Sequence, residues 1–180
     1  HQFQNHFDYP ILRHILNSSG IARFGYAQFE MVRLGIGMYG ISSNEYEQMN
    51  LQNVSSLKTI VSQIKTVSPP DTIGYNRKGV ILKPTRVATV PIGYADGYNR
   101  KLGNGNGKMI INGQIAPTIG SICMDMCMLD VTNLNVNEGD EVIVFGDSYS
   151  INQIAKDIGT IPYEVLTNVS RRVKRVYYQE

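Results

Sequence analysis

MIINGQIAP, residues 109–117, sets Asn112-Gly113 between two apolar runs. That pair accepts the positive φ angles of a two-residue hairpin turn, so the stretch predicts two antiparallel strands joined at 112–113. The same rhythm continues outward on both sides. LKTIVSQIKTV (57–67) gives way to SPPDTIG, TRVATVPIG (85–93) to YADG, and ICMDMCMLDVT (122–132) to NVNEGDEVIVFGD (135–147). Short β-like runs at near-regular spacing, broken by Gly, Pro, Asn and Asp, predict a β-barrel or sandwich. GNGNG (103–107) reads as a loop, because it lacks the strand-then-helix setting and the lysine-serine ending of a phosphate loop.

The ends read differently. Ser150 is placed to cap a helix, INQIAKDIG, that Gly159 would stop, and Pro162 suits the first turn of another, PYEVLTNVS. RRVKRVYYQE (171–180) reads as a final strand with a basic face. Residues 6–41 read as an α/β piece, with strand, helix and strand in turn: HILNSSG, ARFGYAQFEM and MVRLGIGMYGI. That is one parallel βαβ unit and too little for a whole α/β domain, so something is expected upstream. The polar stretch SSNEYEQMNLQN (42–53) marks a boundary, placed between residues 1–45 and 46–180. The class is therefore mainly β, preceded by a short α/β piece.

With 42% hydrophobic residues, the 180-residue chain can build a core without staples. Its net charge of +2 is too small to imply a nucleic-acid or membrane partner. No apolar run approaches the roughly 18 residues of a membrane span, and no signal-peptide pattern opens the chain. Cys123 and Cys127 are expected on one strand face, too far apart for a usual disulfide, as reduced core thiols of a cytoplasmic protein.

Familiar catalytic constellations are absent. His1, His6 and His14 all lie near the start with no carboxylate at metal-ligand spacing, and the two cysteines lack a second ligand pair, so no metal is expected. No nucleophile elbow or Ser/His/Asp set is evident. Motif chemistry alone stops at an α/β piece followed by a β-domain.

Five blocks go further. VRLGIGMYG, IGY, VPIGYADGYNR, APTIGSICMDMCMLDVT and PYEVLTNVSRRVKRVY resemble, in order, the blocks of the alanine racemase family. The resemblance runs from Asn17 onward and is carried most specifically by GYADG followed by ICMD. It implies a pyridoxal-phosphate (PLP) enzyme interconverting L- and D-alanine for peptidoglycan synthesis, with an N-terminal (β/α)8 barrel and a C-terminal β-domain. This chain then corresponds to the last barrel strands plus the β-domain. The family's PLP lysine sits in a barrel block that none of this chain's lysines matches, so the chain by itself is expected to be inactive.

Residue by residue, the resemblance makes Tyr75 the base that takes the α-proton of L-alanine, supplied across a homodimer interface. Arg33 would face the pyridine nitrogen of PLP. Ser18, Gly35, Ile36 and Tyr163 would cradle its phosphate, with Asn17 supporting the loop. The Met124 N–H would bind the substrate carboxylate, Asp125 would shape the entrance, and Tyr94 would line it. Asp96 and Gly97 would build the turn behind Tyr94, and Tyr98 would pack. Two departures stand out. Asn76 follows Tyr75 where the family often has Gly, and Met126 replaces a frequent Gln. Asparagine tolerates unusual backbone angles, so the turn is expected to survive.

Other readings stay open on the residues: a racemase of another small amino acid such as serine, a fusion with a cell-wall ligase, or a non-catalytic β-barrel module stacking single-stranded nucleic acid. Against the last stand the low charge and the lack of a clustered basic-aromatic segment.

Overall fold

The segment Leu57–Val67 supplies two strands that lie at opposite edges of the same sheet. β1 (Leu57–Ile60) pairs antiparallel with β9 (Glu141–Phe145), and β2 (Gln63–Val67) with β5 (Thr85–Val90). Between them come only Val61 and Ser62. Val61 exchanges main-chain bonds with Asp140 and Gly139 at 2.9 and 2.8 Å, whereas the Ser62 N–H donates to the Thr89 carbonyl at 2.9 Å. A sheet whose two edges are joined by so short a link must curl back on itself.

The computed structural model describes residues 2–42 and 44–179; His1 lies outside the described residues. The chain divides into two compact units, His1–Val54 and Ser55–Glu180. In the second, seven antiparallel strands run in the order β1-β9-β6-β7-β8-β5-β2, completed by β6 (Lys108–Ile111), β7 (Gln114–Ile119) and β8 (Cys127–Asp130). β3 (Thr72–Ile73) and β4 (Gly79–Val80) form a separate small hairpin. The mainly β class is as expected.

Local chemistry explains the turns. Asn112 and Gly113, both at positive φ (50° and 74°), join β6 to β7 as expected. β7 pairs first with β6 and then, from Thr118, with β8, so it bends from one half of the curled sheet into the other. The interior is filled by alternate side chains: Cys127 and Leu129 are buried on β8 while Met128 and Asp130 are less so. Val90, Met109, Ile111, Leu129 and Val142 are fully buried around them. α3 (Ile151–Ile158) starts where the Ser150 hydroxyl accepts from the Gln153 N–H and stops at Gly159, φ 70°. It buries Ile151, Ile154, Ala155 and Ile158, one face at helical spacing. α4 (Pro162–Thr167) follows, with its proline in the first turn.

Three expectations are corrected. No strand forms over the described part of residues 171–180. Arg175 instead turns the chain on itself, donating to the carbonyls of Val169, Ser170 and Val173. β8 begins only at Cys127, because the Cys123 N–H donates to the Met126 carbonyl at 2.9 Å and closes a turn. The two cysteines therefore do not share a strand face; both are free thiols. In the first unit, among the described residues, residues 14–41 hold no strand. The extended chain around Leu16 and that around Arg33 share one main-chain bond, Arg33 N–H to Leu16 carbonyl at 2.9 Å, and one rung is not a ladder. The helix there is α1 (Ser18–Arg23), earlier than expected, because the Asn17 side chain caps it by accepting from the Gly20 N–H. A second short helix, α2 (Glu45–Gln48), is capped by Asn44.

Candidate active site

In the second unit a small apolar cluster fixes the position of a tyrosine. Ile73, Ile81 and Val87 are buried together, with Val67, Ile119 and Met128 packed against them. This seats the β3–β4 hairpin on the sheet. Gly74 leaves it at φ 76°, and Tyr75 follows, 72% exposed. Asn76 takes φ 56° and ψ 22°, the left-handed backbone asparagine tolerates, so the turn survives the departure from Gly. Beside it runs the 123–126 turn. Tyr75, Cys123, Met124, Asp125, Met126 and Met128 line one open depression of about 470 Å³.

The turn at 93–97 holds that second wall. The Tyr94 N–H donates to the Cys123 carbonyl and the Ala95 N–H to the Met124 carbonyl, both at 3.0 Å. Gly93 is required by proximity, since a Cβ there would lie 2.3 Å from the Cys123 oxygen and 2.4 Å from the Met124 oxygen. The Met124 carbonyl is thus taken, while among the described residues no group accepts from its N–H. Tyr94 is exposed, with the Arg100 guanidinium 5.8 Å from its ring centre. Tyr98 is buried.

Asp96 ties the turn together. Its Oδ2 accepts from the Gly93 N–H at 2.9 Å, and its Oδ1 accepts from Arg172 Nε at 2.7 Å. Arg172 Nη2 reaches Asp125 Oδ1 at 2.5 Å. Asp96 first, then Asp125, raises the guanidinium above its ordinary range and keeps it charged. Sequence reading missed both Arg172 and Gly93. The signal for Arg172 was present in the VSRRV segment, read as a strand face; its partner Asp96 lies 76 positions away.

The first unit gathers a different set. The Ser18 hydroxyl oxygen accepts from the N–H groups of Gly35 (2.9 Å) and Gly37 (3.2 Å). Ile36, between them, begins a 3-10 turn (Ile36–Tyr39), and among the described residues its N–H has no acceptor. Arg33 Nη2 donates to the Ile15 carbonyl at 3.2 Å. Asn17, Ser18, Arg33, Gly35 and Ile36 are therefore neighbours. A Cβ on Gly35 would stand 3.7 Å from the Ser18 oxygen, so its absence keeps that side of the cluster open. With Gly35 and Gly37 bonded to the Ser18 oxygen, the Ser18 O–H and the Ile36 N–H are, among the described residues, the donors left facing outward from this turn, a set that fits the phosphate end of a cofactor. Residues 1–54 contain no lysine, so covalent attachment of an aldehyde cofactor is not among this unit's roles. Tyr163 belongs to the second unit, part-exposed on α4, its carbonyl accepting from the Thr167 hydroxyl at 2.8 Å.

Among the described residues no group of three His, Cys, Asp or Glu is placed to hold a metal ion, and no helix is long and apolar enough to cross a membrane.

Residues 54–177 match the profile of a family described as alanine racemase, C-terminal domain. The chain is 45% identical over 174 residues to alanine racemase 1 of Clostridium acetobutylicum, an alignment spanning 92% of this chain and 45% of that protein. It superposes on alanine racemase of Clostridium difficile 630 with a TM-score of 0.86 at 39% identity, covering 93% of this chain and 45% of that one. For alanine racemase from Bartonella henselae with covalently bound pyridoxal phosphate the TM-score is 0.85 at 32% identity, covering 94% of this chain and 48% of that one. The chain spans about half the length of the curated relatives it matches.

Proposed function

Because the chain belongs to the alanine racemase family, we propose that it supplies the C-terminal part of a PLP-dependent enzyme that interconverts L- and D-alanine. In this reading the first unit is the end of the (β/α)8 barrel and the second is the C-terminal β-domain. The whole enzyme works in the cytoplasm, for peptidoglycan synthesis, as a homodimer whose subunits share their active sites. The observation that carries the reading is the depression in which Tyr75, Met124 and Asp125 come together.

PLP supplies an electron sink for the pair left on the α-carbon when its proton departs. The chain's own residues supply the rest. Ser18, Gly35 and Ile36 would hold the PLP phosphate through a hydroxyl and backbone N–H groups, with Asn17 fixing the start of α1 next to Ser18, and Tyr163 would offer a further hydroxyl. Arg33 would face the pyridine nitrogen, where a guanidinium that keeps its charge would keep that nitrogen unprotonated and limit side reactions. The unpaired Met124 N–H binds the substrate carboxylate, while Asp125 and Tyr94 shape the entrance. The Tyr75 phenolic oxygen takes the α-proton on the L face and returns it in the reverse direction.

The test uses the full-length protein carrying Tyr75→Phe, with α-proton exchange followed in deuterated water from each enantiomer separately. Exchange from L-alanine is expected to fall by at least about 100-fold while D-alanine continues to exchange. Equal exchange from both, at the parent rate, removes Tyr75 from the chemistry. A full-length parent that exchanges neither enantiomer removes the activity itself. The 180-residue chain alone, given PLP, is expected to show no turnover, and turnover by it would overturn that expectation.

A further inference from the structure

The turn proposed to bind the substrate carboxylate carries a carboxylate of its own. Asp125 directly follows Met124 and lines the same depression, with its side chain 56% exposed. An anion bound at the Met124 N–H would meet that negative charge at short range, and two like charges at a few ångströms disfavour each other. The structure shows what offsets it. Arg172 Nη2 bonds Asp125 Oδ1, and Arg172 is itself held through Nε by Asp96. Asp96 is mostly buried, its side chain 13% exposed, and its other oxygen is committed to the Gly93 N–H. Restraint therefore passes from the Gly93 backbone to Asp96, to Arg172 and to Asp125. The same turn pins the Met124 carbonyl through the Ala95 N–H. The peptide between Met124 and Asp125 is held from both sides by 93–97, and Arg172 is the part that acts on the Asp125 side.

Resting on the reading given under Proposed function, we propose that Arg172 is a positioning residue for substrate. It fixes the Met124–Asp125 turn and cancels the Asp125 charge, so that the Met124 N–H can receive a carboxylate. The stabilising value of an exposed ion pair is small, so the effect belongs to substrate binding and not to the fold. A forked guanidinium is needed because two carboxylates are engaged through different nitrogens; a lysine ammonium offers one point charge.

Three variants of the full-length holoenzyme test this: Arg172→Met, Arg172→Lys and Arg172→Met with Asp125→Asn. Arg172→Met is expected to raise KM for both enantiomers about tenfold with kcat within about twofold, the size expected for one lost charge-assisted interaction. Arg172→Lys is expected to fall between. Removing the repelling charge in the double variant is expected to recover at least half of the lost affinity on a logarithmic scale. A purely structural role would lower the unfolding midpoint and would not be relieved by Asp125→Asn. The second readout needs no activity: amide hydrogen exchange at Cys123 and Ala95, whose N–H groups bond the Met126 and Met124 carbonyls, is expected to quicken about tenfold in Arg172→Met, with Leu129 on β8 unchanged. An unchanged KM, or a raised KM with no relief from Asp125→Asn, overturns the proposal. If the parent protein does not racemise alanine, the functional reading falls and the substrate role with it. The exchange measurement still decides whether Arg172 holds the turn.

Discussion

One added methyl group tests how Met124 is held. At Gly93 the backbone is extended, φ −147°, so the need for glycine comes entirely from the carbonyls of Cys123 and Met124 pressed against it. Alanine there forces the 123–124 backbone away, and overpacking of this kind costs about 1–3 kcal/mol. Gly113 is the opposite case: φ is 74° and nothing lies within 4 Å of an added Cβ. Alanine at 113 pays only the left-handed backbone cost of about 1 kcal/mol. Urea unfolding is expected to rank Gly93→Ala as the more damaging, and only Gly93→Ala is expected to raise KM. Equal losses with unchanged KM would show that the 93–97 turn does not set the position of Met124. Much at this scale was legible. Tyr75, Met124 and Asp125, which only the family resemblance singles out, do line one depression, and Asn76 takes the left-handed turn expected of it. Arg172 was not, because a bond between side chains 76 positions apart leaves no local mark.

Elements governed by their own residues were read well, and those governed by partners were not. The cap at Ser150, the stop at Gly159 and the Asn112-Gly113 hairpin each follow from chemistry within a few positions. The chain at 14–41 and 171–179 carries the right apolar rhythm for strands, but a strand exists only where a neighbour completes its ladder. In the first unit side chains do what a ladder does not. Arg13 grips Glu30 through its backbone N–H at 3.0 Å and through its guanidinium, and Arg23 bonds Glu47 at 2.6 Å. Hydrogen bonds from Arg13, foremost those of its guanidinium, hold the Glu30 carboxyl down to about 2 from an ordinary 4.5. The Ser42 hydroxyl first, then Arg23, lowers that of Glu47. A carboxylate depressed on folding stabilises the folded state above its unfolded value and loses that contribution as pH falls through the folded one. The support from Glu30 is therefore complete above about pH 4.5 and fades toward pH 2. A carbon-detected NMR titration is expected to place the Glu30 midpoint near 2; a midpoint near 4.5 would show that the pair does not persist in solution.

For the β-domain as a whole, the decisive feature is that one segment, 57–67, forms both edges of the sheet. The two edges are short, four and five residues, which limits the unpaired row of N–H and C=O groups each presents, and the Val61-Ser62 link ties one to the other. The link is also tied on both sides, to Gly139 and Asp140 and to Thr89. Where the chain is cut should therefore matter more than how much is removed. A protein starting at Ser55 keeps β1, β2 and the link, along with the buried Leu57 and Val61. It is expected to unfold in urea in one cooperative step, with β-sheet circular dichroism and the Tyr75 depression intact. A protein starting at Gln63 is only a few residues shorter, yet it loses β1 and leaves β9 with β6 as its one neighbour, a new open edge along Glu141–Phe145. It is expected to self-associate on size-exclusion chromatography and to unfold over a broad range. If both proteins behaved alike, the edge-to-edge closure would not be what holds this domain. The walls that carry Tyr75 and Met124 would then owe their placement to the β5–β8 pairing and the 93–97 turn alone.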